Sequence, residues 1–300
     1  MRHLRDFEFI EGVIRAGSIR KAAEDMNITA SALNRRINRF EEEFGYQIFE
    51  RLPRGVRLNP AGEMLLQHIR SQRSDLARLR SQVADLSGVR RGHVSIACSQ
   101  ALLPYFLPNE VAKYRSAHPG VLFSVNARDR VEAERELVEF SSDIALVFEP
   151  LTMVDFEIVF AIEQPIHAIM RADHPLAAET EVRLRDCVRY PHSAPSEKYA
   201  VRKILEAAAR RLSSTTISPM VESESFDFMR HYGQWEDMIG FQFPIGLNLK
   251  SDSKLVSRPL SSREVPLGNL LLGQMRGRVL PVASARFAQQ LAQSLQQLAV

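Results

Sequence analysis

Residues 18–44, with the sequence SIRKAAEDMNITASALNRRINRFEEEF, contain two amphipathic helical patterns that are separated by a short break. Ser18 is a favourable N-cap residue for the first helix, and Thr29 is one for the second. Apolar residues recur at helical spacing along one face of each helix, namely Ile19, Ala22, Ala23 and Met26 in the first and Leu33, Ile37, Phe40 and Phe44 in the second. Because each helix has one apolar face, the pattern predicts a helix-turn-helix that packs against a common core.

The other face of the second helix carries side chains that form hydrogen bonds. Its members are Ser31, Asn34, Arg35 and Asn38, with Arg36 and Arg39 at the margin. Amide and guanidinium groups on a helix that buries its opposite side can bond to base edges in the major groove of DNA. A solvated helix face is the alternative interpretation, and the segment that follows favours the first one.

The segment after this helix has the pattern of a short β-hairpin with arginines. Gly45 ends the helix, and two short extended stretches then flank a Pro-Arg-Gly tip. Arg51, Arg54 and Arg57 belong to this hairpin, which we interpret as a wing that binds phosphates. The Asn-Pro pair at residues 59–60 supplies an N-cap and a first-turn proline for the next helix.

This succession of elements resembles the DNA-binding domain of LysR-type transcriptional regulators. The resemblance extends without gaps over almost the whole domain and is carried by Ser18, Ala22, Ala23, Ser31, Ala32, Leu33, Arg35, Ile37, Phe40, Glu41, Glu42, Glu43, Gly45, Phe49, Glu50, Arg51, Arg54, Gly55, Leu58, Pro60, Ala61, Gly62 and Glu63. Three DNA-facing positions depart from the family pattern: Ala30 and Arg36 stand where glutamine is usual, and Asn34 where serine is usual. The resemblance therefore implies a promoter-binding regulator but does not give its operator sequence.

Nine residues form the predicted DNA-contacting set. They are Ser18, Ser31, Asn34, Arg35, Arg36, Asn38, Arg51, Arg54 and Arg57. We expect the three wing arginines to hold phosphates and the members between positions 31 and 36 to meet bases. The charge distribution agrees with this assignment, because residues 1–92 have 17 Lys and Arg against 12 Asp and Glu, whereas residues 93–300 have 22 against 24.

The helix that begins at Pro60 has a long apolar seam. Its members follow one another in alternating steps of four and three residues: Leu65, Ile69, Gln72, Leu76, Leu79, Val83 and Leu86. This heptad pattern is typical of a two-stranded coiled coil, with Gln72 as its polar member. We therefore predict a linker and dimerisation helix over residues 61–88, which would place two DNA-binding domains on two-fold related half-sites. An amphipathic helix packed against its own chain is the alternative.

Beyond residue 92 the predicted elements alternate between strands and helices. Such alternation favours a parallel sheet with helices on both faces. The resemblance implies two α/β lobes like those of periplasmic binding proteins, with the chain crossing between them near residues 162–165 and 262–266. The predicted fold class is thus α/β with an all-α N-terminal part. Its domains are a winged helix-turn-helix at 1–60, the linker helix at 61–88, and an effector-binding and oligomerisation domain at 89–300, in which lobe 1 comprises 93–162 and 266–300 and lobe 2 comprises 163–265.

The cleft between the predicted lobes is the expected site for a small-molecule effector. The predicted lining residues lie at strand ends and helix starts: Ser99, Gln100, Arg128, Phe148, Ser196 and Gln242. Ser99 and Gln100 follow the first strand of this domain, where backbone N–H groups and a hydroxyl suit an anion such as a carboxylate. A serine or threonine at the position of Ser99 commonly contacts the effector in the family. Ser99 as a helix cap and Arg128 as a surface arginine are the alternatives.

Other sequence features indicate neither catalysis nor a bound cofactor. Cys98 and Cys187 are too few for a disulfide framework or a cysteine zinc site. The eight histidines show no spacing typical of metal ligands, and phosphate-loop and nucleophile-elbow motifs are missing from the sequence. We therefore predict no enzymatic activity, no metal and no cofactor. We interpret Cys98 as a small buried residue, with a redox role as the alternative, and residues 276–278 (Arg-Gly-Arg) as a solvated turn.

The N-terminal residues argue against a secretory signal, since charged side chains from Arg2 to Glu8 interrupt any apolar run. No apolar stretch of the sequence is long enough to cross a bilayer. We therefore expect a cytoplasmic protein without a membrane partner. Its expected partners are double-stranded promoter DNA with a pseudo-palindromic site, a small-molecule effector, and copies of itself in a homodimer or homotetramer. A transport-type solute-binding protein, and an enzyme docked through its N-terminal domain, are the rival interpretations.

Overall fold

The computed structural model describes residues 2–53, 55–86, 92–148, 155–212, 215–248 and 254–298. Arg54, one of the predicted wing arginines, lies outside these residues. The chain divides into two compact units, residues 1–77 and 78–300. The division falls within the helix that the sequence predicts as a linker over residues 61–88.

The first unit consists of a helix-turn-helix, a β-hairpin and the first part of a long helix. The elements in this part of the chain are α1 Arg2–Ala16, α2 Ile19–Asp25, α3 Ala30–Phe44, β1 Phe49–Leu52, β2 Gly55–Leu58 and α4 Pro60–Leu86. Strands β1 and β2 pair in antiparallel fashion, with Phe49 opposite Leu58 and Leu52 opposite Gly55. The predicted helix-turn-helix and wing are therefore both present.

Side-chain and glycine caps define the helix ends of this unit as the sequence predicts. The Ser18 Oγ atom accepts a hydrogen bond from the Lys21 N–H group at 3.5 Å, and the Thr29 Oγ1 atom accepts one from the Ala32 N–H group at 3.2 Å. Gly45 ends α3 in the left-handed conformation with a φ of 85°, which residues with a side chain rarely adopt. These caps determine where α3 begins and ends.

The core of the first unit is formed by apolar side chains from its helices and from the start of the wing. Leu33, Ile37 and Ile48 are at most 3% exposed. Phe44, the last residue of the predicted apolar face of α3, is instead 42% exposed and stacks on Phe40 with the ring centroids 5.8 Å apart. The prediction that Phe44 belongs to the buried face is wrong, because the last turn of α3 presents this ring to solvent.

The predicted seam of α4 is divided between two environments. Leu65 and Ile69 are 5% and 0% exposed, because they pack in the core of the winged domain. Further along the helix, Leu79 and Val83 are 54% and 53% exposed. The expectation of one continuous dimerisation seam is therefore wrong for its first two members, which stabilise their own chain. The exposed members are the ones that a partner helix could cover.

The second unit contains the remaining helices and strands and forms two lobes. Beyond α4, the elements are β3 Gly92–Cys98, α5 Phe106–Ala117, β4 Val121–Ala127, α6 Arg130–Val138, β5 Ile144–Phe148, β6 Phe156–Gln164, β7 His167–Arg171, α7 Leu184–Cys187, β8 Ser193–Pro195, α8 Ala200–Arg211, β9 Val221–Ser223, α9 Phe226–Tyr232, β10 Gly240–Gln242, β11 Leu255–Pro259, β12 Gly268–Met275 and α10 Val282–Leu298. The described residues also form 3-10 turns at Gln100–Leu102, Pro175–Ala178 and Pro244–Gly246.

Each lobe is built around its own sheet. Lobe 1 has a five-stranded sheet with the order β4-β3-β5-β12-β6, in which β3 is parallel to β4 and β5, whereas β12 is antiparallel to β5 and β6. Lobe 2 has an antiparallel sheet with the order β10-β7-β11 and a parallel β8–β9 pair. The prediction of a parallel sheet is therefore wrong for several strands. The reason is the double crossing: β6 carries the chain out of lobe 1 and β12 carries it back, so these two strands run in opposite directions.

The chain crosses between the lobes twice. It passes from β6, which ends at Gln164, to β7 through residues 165–166, and from β11 to β12 through residues 260–267. One hydrophobic core cluster contains residues of both lobes, which are thus packed against each other.

A buried ion pair joins separate segments of lobe 1. The Arg278 Nη2 atom lies 2.6 Å from Asp143 Oδ1, and the two side chains are 6% and 9% exposed. The Asp143 Oδ2 atom also accepts hydrogen bonds from the Ser95 N–H group at 3.2 Å and from the Ser284 hydroxyl at 2.8 Å. The interpretation of residues 276–278 as a solvated turn is therefore wrong for Arg278, because its guanidinium group is buried against a carboxylate that is distant in sequence.

Candidate nucleic-acid interface and interlobe cleft

The outward face of α3 presents most of the side chains that the sequence predicts to meet bases. Ser31 and Arg35 are exposed, and Asn34 and Asn38 are half-buried. Asn34 and Asn38 line an open groove of about 930 Å³ whose other side is formed by the wing. Hydrogen-bonding side chains beside such a groove are accessible to a DNA duplex.

The two wing arginines within the described residues each bond to a neighbouring side chain. The Arg51 Nη2 atom donates to Asn38 Oδ1 at 3.3 Å and so links the wing to α3. The Arg57 Nε atom donates to Glu50 Oε2 at 2.7 Å across the hairpin, and its side chain is 68% exposed. A guanidinium group has five N–H donors, so both arginines keep donors for a phosphate. The structure thus brings Asn38 and Arg51 into one contact.

Arg36 lies against α1 rather than on the outward face of α3. Its guanidinium carbon is 4.8 Å from the centroid of the Phe9 ring, and its Nη1 atom is 4.0 Å from Asp6 Oδ1, a buried carboxylate. Arg36 follows Leu33 by three residues, so the helix turns it toward the edge of the buried face. These contacts argue against the predicted base contact of Arg36. Ser18, also in the predicted set, uses its hydroxyl group to cap α2.

Glu41 belongs to this interface although the sequence analysis assigns it no role. Its Oε1 atom accepts hydrogen bonds from the backbone N–H groups of Ile48 at 2.8 Å and Phe49 at 3.3 Å, at the start of β1. One sequence signal points to such a role: three consecutive glutamates occupy the last turn of α3, where the helix dipole disfavours negative charge. A local conflict of this kind indicates a tertiary contact that offsets it.

A small cavity of about 30 Å³ lies between the two lobes of the second unit. Its lining comprises Ser99, Arg128, Asp129, Arg130, Val147, Phe148, Lys198, Tyr199, Ala200 and Lys203. Three of the predicted effector residues, Ser99, Arg128 and Phe148, therefore come together here. The lining residues of lobe 2 lie around the start of α8, and the prediction contains none of them.

The other three predicted effector residues lie outside this lining. The Gln100 Oε1 atom accepts the Phe226 N–H group at 3.0 Å, and this bond joins lobe 1 to α9 of lobe 2. Gln242 is 2% exposed, and its Nε2 atom donates to the Gly246 carbonyl at 3.1 Å. The Ser196 Oγ atom is buried and has no hydrogen-bond partner among the residues that the structure describes. The Gln100 bond thus joins the two lobes, whereas the Gln242 bond lies within lobe 2.

The two lobes contact each other tightly beside the cavity. Phe148, at the end of β5, stacks on Phe243 of lobe 2, with the ring centroids 3.8 Å and the ring planes 8° apart. A Cβ atom on Gly246 would lie 2.5 Å from the Ala101 carbonyl oxygen, so the backbones approach closely at this glycine. Small-molecule sites usually have volumes of roughly 300–1,000 Å³. The interlobe cavity is therefore smaller than a typical small-molecule site.

The cavity lining has a basic character. Four of its residues are Arg or Lys, and one is an acid. A hydrogen bond to Glu136 raises the pKa of Arg128, and a hydrogen bond to Glu224 raises the pKa of Lys198, whose Nζ atom lies 2.8 Å from Glu224 Oε1. Burial raises the pKa of Tyr199, so its hydroxyl group stays protonated and can donate. Cationic groups beside a hydroxyl donor suit an anionic ligand.

Both cysteines are buried thiols. Burial raises the pKa of the Cys98 thiol and of the Cys187 thiol to about 12. The reactive form of cysteine is the thiolate, which is a trace species at neutral pH when the pKa is this high. The environment of Cys98 therefore argues against a redox role.

Among the residues that the structure describes, no group of His, Cys, Asp or Glu side chains has an arrangement suited to a metal ion. No helix in the described part of the chain is both long enough and apolar enough to span a bilayer.

A winged helix-turn-helix, a long helix and two α/β lobes around a cleft define a class of protein in which a DNA-binding head precedes a ligand-binding domain. Two family models match the chain. The model described as "Bacterial regulatory helix-turn-helix protein, lysR family" matches residues 4–63, and the model described as "LysR substrate binding domain" matches residues 87–296. The chain therefore belongs to the LysR family.

Curated relatives with sequence similarity carry names of transcriptional regulators. The transcriptional activator CmpR of Synechocystis sp. is 27% identical over 188 residues, which cover 63% of this chain and 62% of CmpR. The regulator CbbR of Sinorhizobium medicae is 31% identical over 182 residues, which cover 60% of this chain and 57% of CbbR. The chain thus spans less than two thirds of the length of these curated relatives.

Solved structures show the same fold over almost the whole chain. A full-length OxyR variant from Pseudomonas aeruginosa has a TM-score of 0.67 and 18% sequence identity, with 98% of this chain and 94% of that chain covered. Full-length CbnR, solved in complex with its target DNA, has a TM-score of 0.63 and 15% identity, with 97% and 99% covered. At these identities the likeness shows the fold alone.

Proposed function

We propose that this protein is a transcriptional regulator, without catalytic activity, that binds promoter DNA and responds to a small molecule. The observation that carries the proposal is the outward face of α3, where Ser31, Asn34 and Arg35 are accessible beside a wing that contains arginines. Membership of the LysR family and the regulator names of the curated relatives support it. A protein with this role works in the cytoplasm, where the chromosome is.

The proposed contacts divide into two kinds. Ser31, Asn34 and Arg35 meet base edges. Asn38 lies on the same face of α3 and accepts a hydrogen bond from Arg51 of the wing. The wing arginines Arg51, Arg54 and Arg57, together with the hydroxyl of Ser18, meet phosphates. Arg36 is left out of the base-contacting group, because its guanidinium group lies on Phe9.

The proposed assembly is a dimer formed through the exposed part of the α4 seam. Leu79 and Val83 are four residues apart and more than half exposed, as expected for side chains that a second copy of α4 would cover. Two winged helix-turn-helix domains held together in this way suit a pseudo-palindromic DNA site with two half-sites. Two dimers would form the homotetramer that the family resemblance implies.

The proposed effector is a small anion that binds in the interlobe cleft. Arg128, Lys198, Tyr199 and Ser99 offer cationic and hydroxyl donors around the cavity. A ligand that binds the open cleft more tightly than the closed one shifts the population toward open lobes. In the assembled protein this shift would change the spacing of the heads and the bend of the bound DNA.

Two single substitutions test the division between base and phosphate contacts. Asn34→Ala should cost about 1–3 kcal/mol on the cognate site and little on random duplex, since it removes base contacts. Arg54→Ala should weaken binding to both DNAs alike and lower the salt dependence. The measurement is a gel-shift titration with the DNA upstream of the protein's own gene and with a random duplex of equal length. Wild-type protein that binds neither DNA at moderate salt would refute the function, and equal losses for both variants on both DNAs would refute the division.

A further inference from the structure

We infer that Glu41 is a positioning residue for DNA binding: its carboxylate holds the wing at a fixed distance from α3. This inference rests on the proposed function of the winged domain. Glu41 is distinct from the residues proposed to touch DNA, and it acts through the wing arginines. The contact joins the last turn of α3 to Phe49, the first residue of β1, and to Ile48, which precedes it.

Glu41 binds the backbone at the start of the wing through two hydrogen bonds, and we call this contact the clamp. A single oxygen, Glu41 Oε1, accepts the N–H groups of Ile48 at 2.8 Å and Phe49 at 3.3 Å. Ile48 is 0% exposed and Phe49 is 7% exposed, so both donors belong to buried residues, whose N–H groups need an acceptor. The start of the wing is therefore held by the helix that lies beside it.

The position of this clamp determines where the wing arginines lie. Arg51 follows Phe49 by two residues on β1, and its Nη2 atom reaches Asn38 Oδ1 on α3 at 3.3 Å. Asn38 and Glu41 are three residues apart on α3, so they contact the wing from the same side of the helix. When α3 lies in a major groove, the distance between α3 and the wing selects the phosphates that the wing can reach.

The loss of Glu41 has two effects on DNA affinity, and they have opposite signs: one comes from its negative charge and the other from its contact with the wing. A carboxylate near a DNA-binding surface repels phosphates, so the charge effect alone would make DNA binding tighter on its removal. Loss of the clamp would instead displace the wing and weaken binding. Glu42 is a matched control, because it is the next residue, lines the same groove and is exposed.

Four variants of the full chain separate these effects. Glu41→Ala removes charge and clamp, Glu41→Gln removes the charge but keeps an oxygen at the same reach, Glu41→Asp keeps the charge but is one methylene shorter, and Glu42→Ala removes charge alone. DNA affinity is measured as a function of salt on the DNA upstream of the protein's own gene and on a random duplex. Far-UV circular dichroism and thermal unfolding confirm that each variant is folded.

We expect Glu41→Ala and Glu41→Asp to bind about tenfold or more weakly and Glu41→Gln to bind nearly as well as wild type. The salt dependence of the weak variants should fall by about one to two units of slope, since each phosphate contact contributes roughly 0.9. Glu42→Ala should bind as tightly as wild type or more tightly.

Particular outcomes would overturn the inference. If wild type binds DNA and Glu41→Ala shows the same affinity and slope as Glu42→Ala, the clamp has no role in binding. If Glu41→Asp binds like wild type and Glu41→Gln binds weakly, charge rather than reach is what matters. Should Glu41→Ala not fold, the Asp and Gln variants decide by the same criterion. Absence of DNA binding by the wild type refutes the proposed function itself.

Discussion

The exposed part of the α4 seam makes a quantitative prediction about self-association. Leu79 and Val83 are 54% and 53% exposed and lie on one side of the helix, whereas Leu65 and Ile69 are buried in the winged domain. The informative change is therefore the double substitution Leu79→Ser/Val83→Ser. It alters the surface offered to a partner and leaves the core of the chain intact.

The expected magnitude follows from the area that remains to be covered. Full burial of a Leu or Val side chain is worth about 1.5–3 kcal/mol, so burying the exposed half of each contributes about 1 kcal/mol. A two-fold dimer buries both residues twice, which amounts to about 4 kcal/mol for the four side chains. The double substitution should therefore raise the dimer Kd by about three orders of magnitude, since about 1.4 kcal/mol corresponds to a factor of ten.

Sedimentation velocity over a range of protein concentrations measures this Kd. The control is Arg80→Ser/Gln82→Ser, because both residues are exposed, flank the apolar seam without belonging to it and carry a similar loss of helix propensity. Wild type and control should be dimers or larger at concentrations where the seam variant is monomeric. A wild type that is monomeric throughout, or a control that dissociates as much as the seam variant, would refute the reasoning.

Two further predictions concern the second unit. Arg278→Ala should lower the free energy of unfolding by about 3–5 kcal/mol in a denaturant titration, because it leaves the Asp143 carboxylate buried without its ion pair. Arg276 is exposed, so the control Arg276→Ala should change the free energy of unfolding by less than about 0.5 kcal/mol. Cys98 and Cys187 should resist alkylation by iodoacetamide in the native protein at pH 8 and react after denaturation, since burial raises the pKa of both thiols to about 12. Alkylation is measured by mass spectrometry. Native protein that is alkylated at Cys98 would contradict the prediction and favour a redox role for this thiol.

The caps and turns of the first unit can be assigned from the sequence alone. Ser18, Thr29 and Gly45 act on backbone groups within four residues of themselves, so their effect does not depend on distant parts of the chain. The apolar spacing of Leu33 and Ile37 likewise identifies the buried face of α3, whichever element covers it. Apolar spacing gives the wrong prediction at Phe44, because this residue continues the apolar pattern of α3 but lies beyond the edge of the core and is exposed.

Helical periodicity does not reveal which partner covers an apolar stripe. Leu65 and Leu79 belong to one heptad pattern, yet the first packs in the winged domain and the second is exposed. A seam has the same spacing whether it packs on its own chain or on a second copy. Arg278 gives a similar lesson, because its burial depends on Asp143, which lies 135 residues away in the sequence.

The interlobe cleft was predictable on one side and not on the other. Ser99 and Arg128 follow parallel strands, and Phe148 is the last residue of another. The carboxyl ends of parallel strands meet at one edge of a sheet, so sequence order places the three residues together. Lys198 and Tyr199 belong to the other lobe. Their approach to that edge depends on how the lobes close, through contacts such as Phe148 on Phe243. Local backbone preferences and strand order are encoded in short segments, whereas contacts between lobes form through packing of surfaces distant in sequence, and only the tertiary structure decides them.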